Sequence, residues 1–236
     1  MQTPSLSFVL RGISSMATKA LLADLTRAYF TQTGVSVQIE SVGGVDAAKR
    51  VQAGEAFDMV LLASDAIDRL MASGHVQTGS RSDWVRSPVA VAVQAGAPRP
   101  DLSNEAAVKA AVLASPTLSY STGPSGVYLE KLFERWGIAD EVKARIVVPP
   151  PGTPVGALVA SGHAALGFQQ LSELIALPGI DVLGTLPADV AFITTFSSGI
   201  PAVIADDTAR VAAAQSFLKF LASAGVEDVK RKQGMD

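Results

Sequence analysis

The feature that most constrains this chain is the rhythm of its first 70 residues. Short apolar runs of strand length alternate with longer stretches whose apolar residues recur at helical spacing. Residues 6–10 (Leu-Ser-Phe-Val-Leu) read as a buried strand, and residues 16–33 as a helix with Leu21, Leu22, Leu25 and Tyr29 on one face. Gly34 closes that helix. Residues 35–42 and 57–62 read as further strands, with helices over 46–53 and 67–72 between and after them. A βαβαβα order of this kind specifies a mostly parallel sheet with helices on its faces.

A second α/β block follows the Gly/Pro-rich segment Gly96-Ala97-Pro98-Arg99-Pro100. A strand over 89–93 is expected to run into that segment, and the later strands are expected over 117–120, 144–148, 164–168 and 190–196. Its helices are expected over 105–113, 127–136, 155–161 and 171–176, and a last amphipathic helix covers 207–222. The implied layout is two mixed α/β lobes, 1–86 with 192–236 and 87–191, joined by two crossover strands near Val89 and Ala191. Lobes of this size are expected to face each other across a ligand cleft and to close on a hinge.

Composition removes several classes of function. The chain has no cysteine, which excludes thiolate metal sites, disulfides and cysteine nucleophiles. Two histidines, His75 and His163, cannot build a three-histidine metal site. A formal charge of −3, from 19 Lys+Arg and 22 Asp+Glu, gives no overall basic field, so no nucleic-acid partner is expected. No apolar run reaches the ~18–20 residues of a membrane span, so no membrane insertion is expected. With a strand expected so early, no signal peptide is expected, which fits a cytoplasmic protein or the mature form of an exported one.

Three strand-to-helix turns share one physical design: hydroxyls and free backbone N–H groups at a helix start, where the partial positive charge favours anions. They are Arg11-Gly12-Ile13-Ser14-Ser15, Ser121-Thr122-Gly123-Pro124-Ser125-Gly126 and Pro151-Gly152-Thr153-Pro154. Taken singly, each hydroxyl is more simply an ordinary helix cap. Taken together, Ser14, Ser15, Thr122, Ser125, the Gly126 amide and Thr153 form a candidate anion cradle. Arg11, read as following a buried strand, is placed to clamp a carboxylate or to pair with a surface Asp. Arg86 has the same two readings. Gly43-Gly44 offers close backbone approach or a tight turn. Gln169 and Gln170 could read polar ligand edges or sit in a solvated loop, and His163 reads first as a helix-capping histidine.

Several segments resemble the periplasmic molybdate-binding proteins, soluble type II receptors of ABC importers. They are Ile13-Ser14-Ser15, Val51-Gln52-Ala53-Gly54, Phe57-Asp58, Ala63-Ser64-Asp65, Gly126-Val127-Tyr128, Gly156-Ala157-Leu158 and Leu166-Gly167-Phe168. The resemblance implies a two-lobed type II periplasmic-binding-protein fold, a periplasmic location and an ABC importer as a possible partner. It also implies site residues. The family's first serine matches Ser14, its second falls at Gly43-Gly44-Val45, an amide donor falls at Pro154, and a tyrosine falls at Gln170. With those contacts changed and Arg11 added, the chain is similar to the aconitate isomerase branch, so a polycarboxylate such as aconitate is the expected ligand. The alternative is a receptor for a polycarboxylate or an oxyanion. An allylic proton shift needs anion clamps and one proton carrier, with no metal or organic cofactor implied. Ser14, Tyr120, Ser121 and His163 are the candidate carriers.

Overall fold

The computed structural model describes residues 8–150 and 152–236. The chain divides into two compact units. One comprises the residues up to Arg86 together with Thr195–Asp236, and the other comprises Ser87–Thr194.

The first unit begins with β1 (Leu10–Ser15), α1 (Lys19–Thr33), β2 (Val37–Val42), α2 (Gly44–Gln52), β3 (Met59–Ala63) and α3 (Ser64–Ala72). The long strand β4 (Ser82–Gln94) then carries the chain into the second unit. That unit holds α4 (Glu105–Ala114), β5 (Leu118–Tyr120), α5 (Pro124–Arg135), α6 (Ala139–Lys143), α7 (Val155–Ala160), β6 (Leu166–Gln170), α8 (Leu171–Leu174) and β7 (Ile180–Thr185). Strand β8 (Ile193–Gly199) returns to the first unit, which ends with α9 (Thr208–Leu221) and α10 (Glu227–Lys232).

In the first unit β1 is parallel to both β2 and β3, and β8 runs antiparallel to β3. Alternate strand residues feed two cores, as the period of two requires. Leu10, Met59 and Leu61 pack with Leu21, Leu25 and Phe217 on one face. Ile13, Val60 and Leu62 pack with Ala47, Val51 and Ile67 on the other. In the second unit β5 and β6 are parallel, while β6 and β7 each pair antiparallel with β4. Its main core joins Val91, Leu118, Leu129, Phe133 and Phe168.

Four expectations about strands are corrected. Of the first strand expected at 6–10, Leu6 and Ser7 lie outside the described residues, and the observed strand starts at Leu10. Gly12 is therefore a strand residue and not a turn. A Cβ there would stand 2.5 Å from Ile39 Cδ1 and 2.8 Å from Met59 Cγ, so only glycine lets the flanking strands close. Residues 144–148 make only a single bridge, Ile146 to Leu118. Pro149 and Pro150 follow directly and have no N–H to extend a ladder. Strand β7 was not expected, because Asp181, Gly184 and Thr185 break up its short apolar run, and none of its residues is fully buried. Finally, β8 begins at Ile193 and runs on to Gly199.

Candidate functional site

In the first unit, chemistry collects where β1 and β2 end. Ser14 pairs in register with Ser41, and their hydroxyl oxygens lie 2.7 Å apart. Ser14 is fully buried and also approaches the Ser15 carbonyl at 3.3 Å. That carbonyl accepts the Thr18 hydroxyl at 3.2 Å. Ser15 stands at the head of a short turn leading into α1, with extended backbone angles and no side-chain capping bond. Its Oγ is buried without a hydrogen-bond partner. An ordinary cap hydroxyl would be bonded to the helix, whereas this one is left open.

Gly44 opens α2 beside this hydroxyl, where a Cβ would lie 3.8 Å from that of Ser15. Gly43 caps α2 with its backbone alone, and the Asp46 carboxylate sits by it, within 3.3 Å of where a Cβ would be. Asp46 therefore already answers part of the helix's positive end. Ser41 escaped the sequence reading. Its signal is positional, since it occupies on β2 the place Ser14 occupies on β1. Lys19, exposed at the first position of α1, has no ion-pair partner among the described residues and lies four residues after Ser15.

Arg11 is placed differently from expectation. It is the second residue of β1, exposed, with its guanidinium 5.8 Å from the centre of the Phe57 ring. It lies three residue steps before Ser14, roughly 10 Å of backbone toward the opposite end of the strand. The expected position beyond the carboxyl end of a strand is thus corrected. Arg86 pairs with Asp236 at 2.6 Å, and the two backbones exchange hydrogen bonds, so it fastens the C-terminus.

In the second unit, β5 and β6 end side by side. After Tyr120, the Ser121 and Ser125 hydroxyl oxygens lie 2.9 Å apart, and Ser121 Oγ accepts the Gly123 amide at 3.4 Å. Thr122 is exposed and Thr153 half-buried. The Gly126 amide, expected as a free donor, is committed to the Gly123 carbonyl at 3.0 Å. Gly126 is required for another reason: a Cβ there would lie 1.6 Å from the Ser121 carbonyl oxygen. Tyr120 is buried against Phe133, and burial, reinforced by the charge of Glu130, pushes its hydroxyl up to about 12. It stays a neutral phenol at neutral pH.

Gln169 and Gln170 are both buried at the carboxyl end of β6, not in a solvated loop. Gln170 Nε2 donates to Thr194 Oγ1 at 2.6 Å, while its Oε1 is buried with no partner. Gln169 Oε1 accepts the Gly156 amide at 3.3 Å, and its Nε2 donates to Glu173 Oε1 at 2.8 Å. Burial of the Glu173 carboxyl, only partly offset by the Gln169 bond, pushes it up to about 7. Sequence reasoning missed Glu173, which looks like an ordinary first-turn acid of a helix. His163 is exposed and bonded to Ser161 at 2.8 Å. It precedes β6, at the opposite end from Gln169, which corrects its candidacy as a proton carrier.

Residues 10–236 match the family described as bacterial extracellular solute-binding protein. The chain belongs to that family. It is 39% identical over 219 residues to an aconitate isomerase of Pseudomonas sp., covering 89% of this chain and 81% of that protein. Among solved structures, the periplasmic molybdate-binding protein of Azotobacter vinelandii superposes with a TM-score of 0.77 at 21% identity, covering 96% of this chain and 98% of that one. The sulfate-binding protein SubI of Mycobacterium tuberculosis gives 0.76 at 16% identity, covering 96% and 86%. The chain thus has the mixed α/β fold of the periplasmic molybdate-binding proteins. Among the described residues, no helix is long and apolar enough to cross a membrane.

Proposed function

We propose that this protein is an aconitate isomerase, interconverting trans- and cis-aconitate in the periplasm. The observation that carries the reading is the 39% identity to the Pseudomonas isomerase across most of both chains. The open polar atoms support it. Ser15 Oγ and Gln170 Oε1 are buried and unpartnered, a cost of about 1–3 kcal/mol each that a polar ligand would relieve. The hydroxyls of Ser14, Ser41, Ser121 and Ser125 are neutral donors of the kind that hold oxyanions without fixing a full counter-charge. Lys19 adds an exposed positive charge at the first position of α1.

The reaction needs no co-reactant. A base removes a methylene proton beside a carboxylate. The electron pair spreads over the allylic carbons and into the adjoining carboxylate, and a proton returns to the former vinylic carbon. The double bond has moved, and the new geometry is set as it forms. Donors aimed at the carboxylate where charge develops lower that barrier.

A second reading has its own observation: the family is one of extracellular solute-binding proteins, whose fold serves equally for a receptor delivering its ligand to an importer. Incubation of the purified protein with trans-aconitate in heavy water separates the two. An isomerase yields cis-aconitate and exchanges methylene protons, both read by proton NMR. Thermal stabilisation by aconitate without exchange identifies a receptor. Stabilisation by molybdate and not by aconitate overturns both polycarboxylate readings. A ligand at 100 times its Kd adds about 2.7 kcal/mol, which a melting curve resolves.

A further inference from the structure

The isomerase reading leaves the proton carrier open, and the groups first considered are poorly suited to it. Tyr120 is held as a phenol, His163 lies before β6, and the Ser14 and Ser121 hydroxyls are bonded to other serines with no base beside them. A serine hydroxyl without a neighbouring base is too weak to take a carbon-bound proton.

One carboxyl is held in place by a chain of hydrogen bonds and has no cation paired with it among the described residues. Glu173 sits one turn into α8, directly after the carboxyl end of β6. Gln170, which caps the same helix, has its Oε1 buried without a partner. The carboxyl is oriented through a chain of bonds: the Gly156 amide fixes Gln169 Oε1, which turns Gln169 Nε2 onto Glu173 Oε1. A glutamate at the third position of a helix ordinarily turns back to the capping residue's N–H. Here it is drawn to a side-chain amide instead.

Among the described residues no cation is paired with it. Strand β6, helix α7 and residues 87–94 of β4 bring no charged side chain. On β7, Asp181 accepts the Gly96 amide at 3.2 Å. No Lys or Arg pairs with Glu173 among the described residues. A structural carboxylate in an apolar unit would be expected to recruit a cation.

We propose that Glu173 is the catalytic base and acid of the allylic shift, with Gln169 as its positioning residue; this rests on the isomerase reading. The Glu173 carboxylate takes the methylene proton, and the pair left on carbon enters the allylic system. The same carboxyl then returns a proton to the far allylic carbon, which restores the carboxylate. Its affinity for protons, pushed to about 7, suits a group that must accept and release one at neutral pH.

The test is Glu173→Gln, with Glu173→Asp beside it. Glu173→Gln is expected to lose 10²–10⁴-fold in both isomerisation and heavy-water exchange, while trans-aconitate still raises its Tm. Glu173→Asp should keep part of the rate. In wild type, kcat/KM should rise with pH through about 7. His163→Ala should leave the rate unchanged. Glu173→Gln turning over within threefold of wild type overturns the assignment and leaves the isomerase reading intact. Loss of aconitate binding along with the rate also overturns it, because Glu173 would then only build the site. A wild-type protein that binds aconitate without isomerising or exchanging it sinks the isomerase reading, and the assignment with it.

Discussion

Replacing Glu173 by Gln should stabilise the ligand-free protein above neutral pH and leave its stability unchanged near pH 4.5. In the folded chain the carboxyl titrates at about 7, against an ordinary 4.5. Between those values the folded protein holds a proton that the unfolded chain has released. Stability therefore falls as pH rises through that window, and the whole cost is present above pH 7. A separation of about 2.5 units at about 1.4 kcal/mol each sets an upper bound of about 3.5 kcal/mol. Glu173 keeps some exposure, which brings the measured figure to about 1–3 kcal/mol. Gln has the same shape, can still accept from Gln169 Nε2, and carries no charge to desolvate. For a chain of this size the gain corresponds to a Tm rise of roughly 3–9 °C at pH 8. Urea or thermal unfolding of both proteins at pH 4.5 and pH 8 measures it. Equal loss of stability at the two pH values would refute the reasoning, since the charged carboxylate would then be a stabilised group.

The same physics applies elsewhere. Ser15→Ala removes a buried hydroxyl without a partner, so the free protein should gain about 1 kcal/mol while its affinity for trans-aconitate falls; unchanged affinity in calorimetry would remove Ser15 from the site. Gly126→Ala drives a Cβ into the Ser121 carbonyl and should cost more than about 3 kcal/mol, with urea midpoints within 0.5 kcal/mol of wild type counting against it. Arg11→Ala should leave aconitate affinity within threefold, because Arg11 lies toward the other end of β1; a tenfold loss would return it to the site. A bound polycarboxylate should raise the Glu173 proton affinity further by like-charge repulsion, so kcat should titrate at higher pH than kcat/KM, and coincident profiles would argue against contact.

The alternation of strands and helices was legible because its periods are local, and so were the helices that end at Gly34, Gly54 and Gly74. Edges and registers were not. Gly12 reads as a turn in sequence, and only the side chains of Ile39 and Met59, brought in by two other strands, show that it belongs inside β1. That single shift moved Arg11 from the carboxyl end of a strand to its start and removed the main argument for a guanidinium clamp. The serines at 14, 15, 121 and 125 could be found by their place at or just before helix starts. Which of them are spent on each other, and that Ser15 Oγ is spent on nothing, depends on partners distant in sequence or on the exact path of the turn.

Glu173 shows where sequence reasoning stops. In Leu171-Ser172-Glu173-Leu174 it is an acid in the first turn of a helix, a pattern that normally means a solvated charge complementing the helix end. Its character comes from what surrounds it: a helix of four residues, too short to contribute much dipole, and an amide from Gln169 in place of a cation. Gln169 is itself fixed by the Gly156 amide across the packing of α7 on β6. A largely buried carboxyl with no cation paired to it is costly to the fold, and a solute receptor gains nothing from that cost, because hydroxyls and amides suffice to hold an anion. A proton shift does gain, since it needs one group that releases its proton as readily as it takes it. The carboxyl that destabilises this fold above neutral pH is for that reason the group best placed to separate an isomerase from a receptor on the same scaffold.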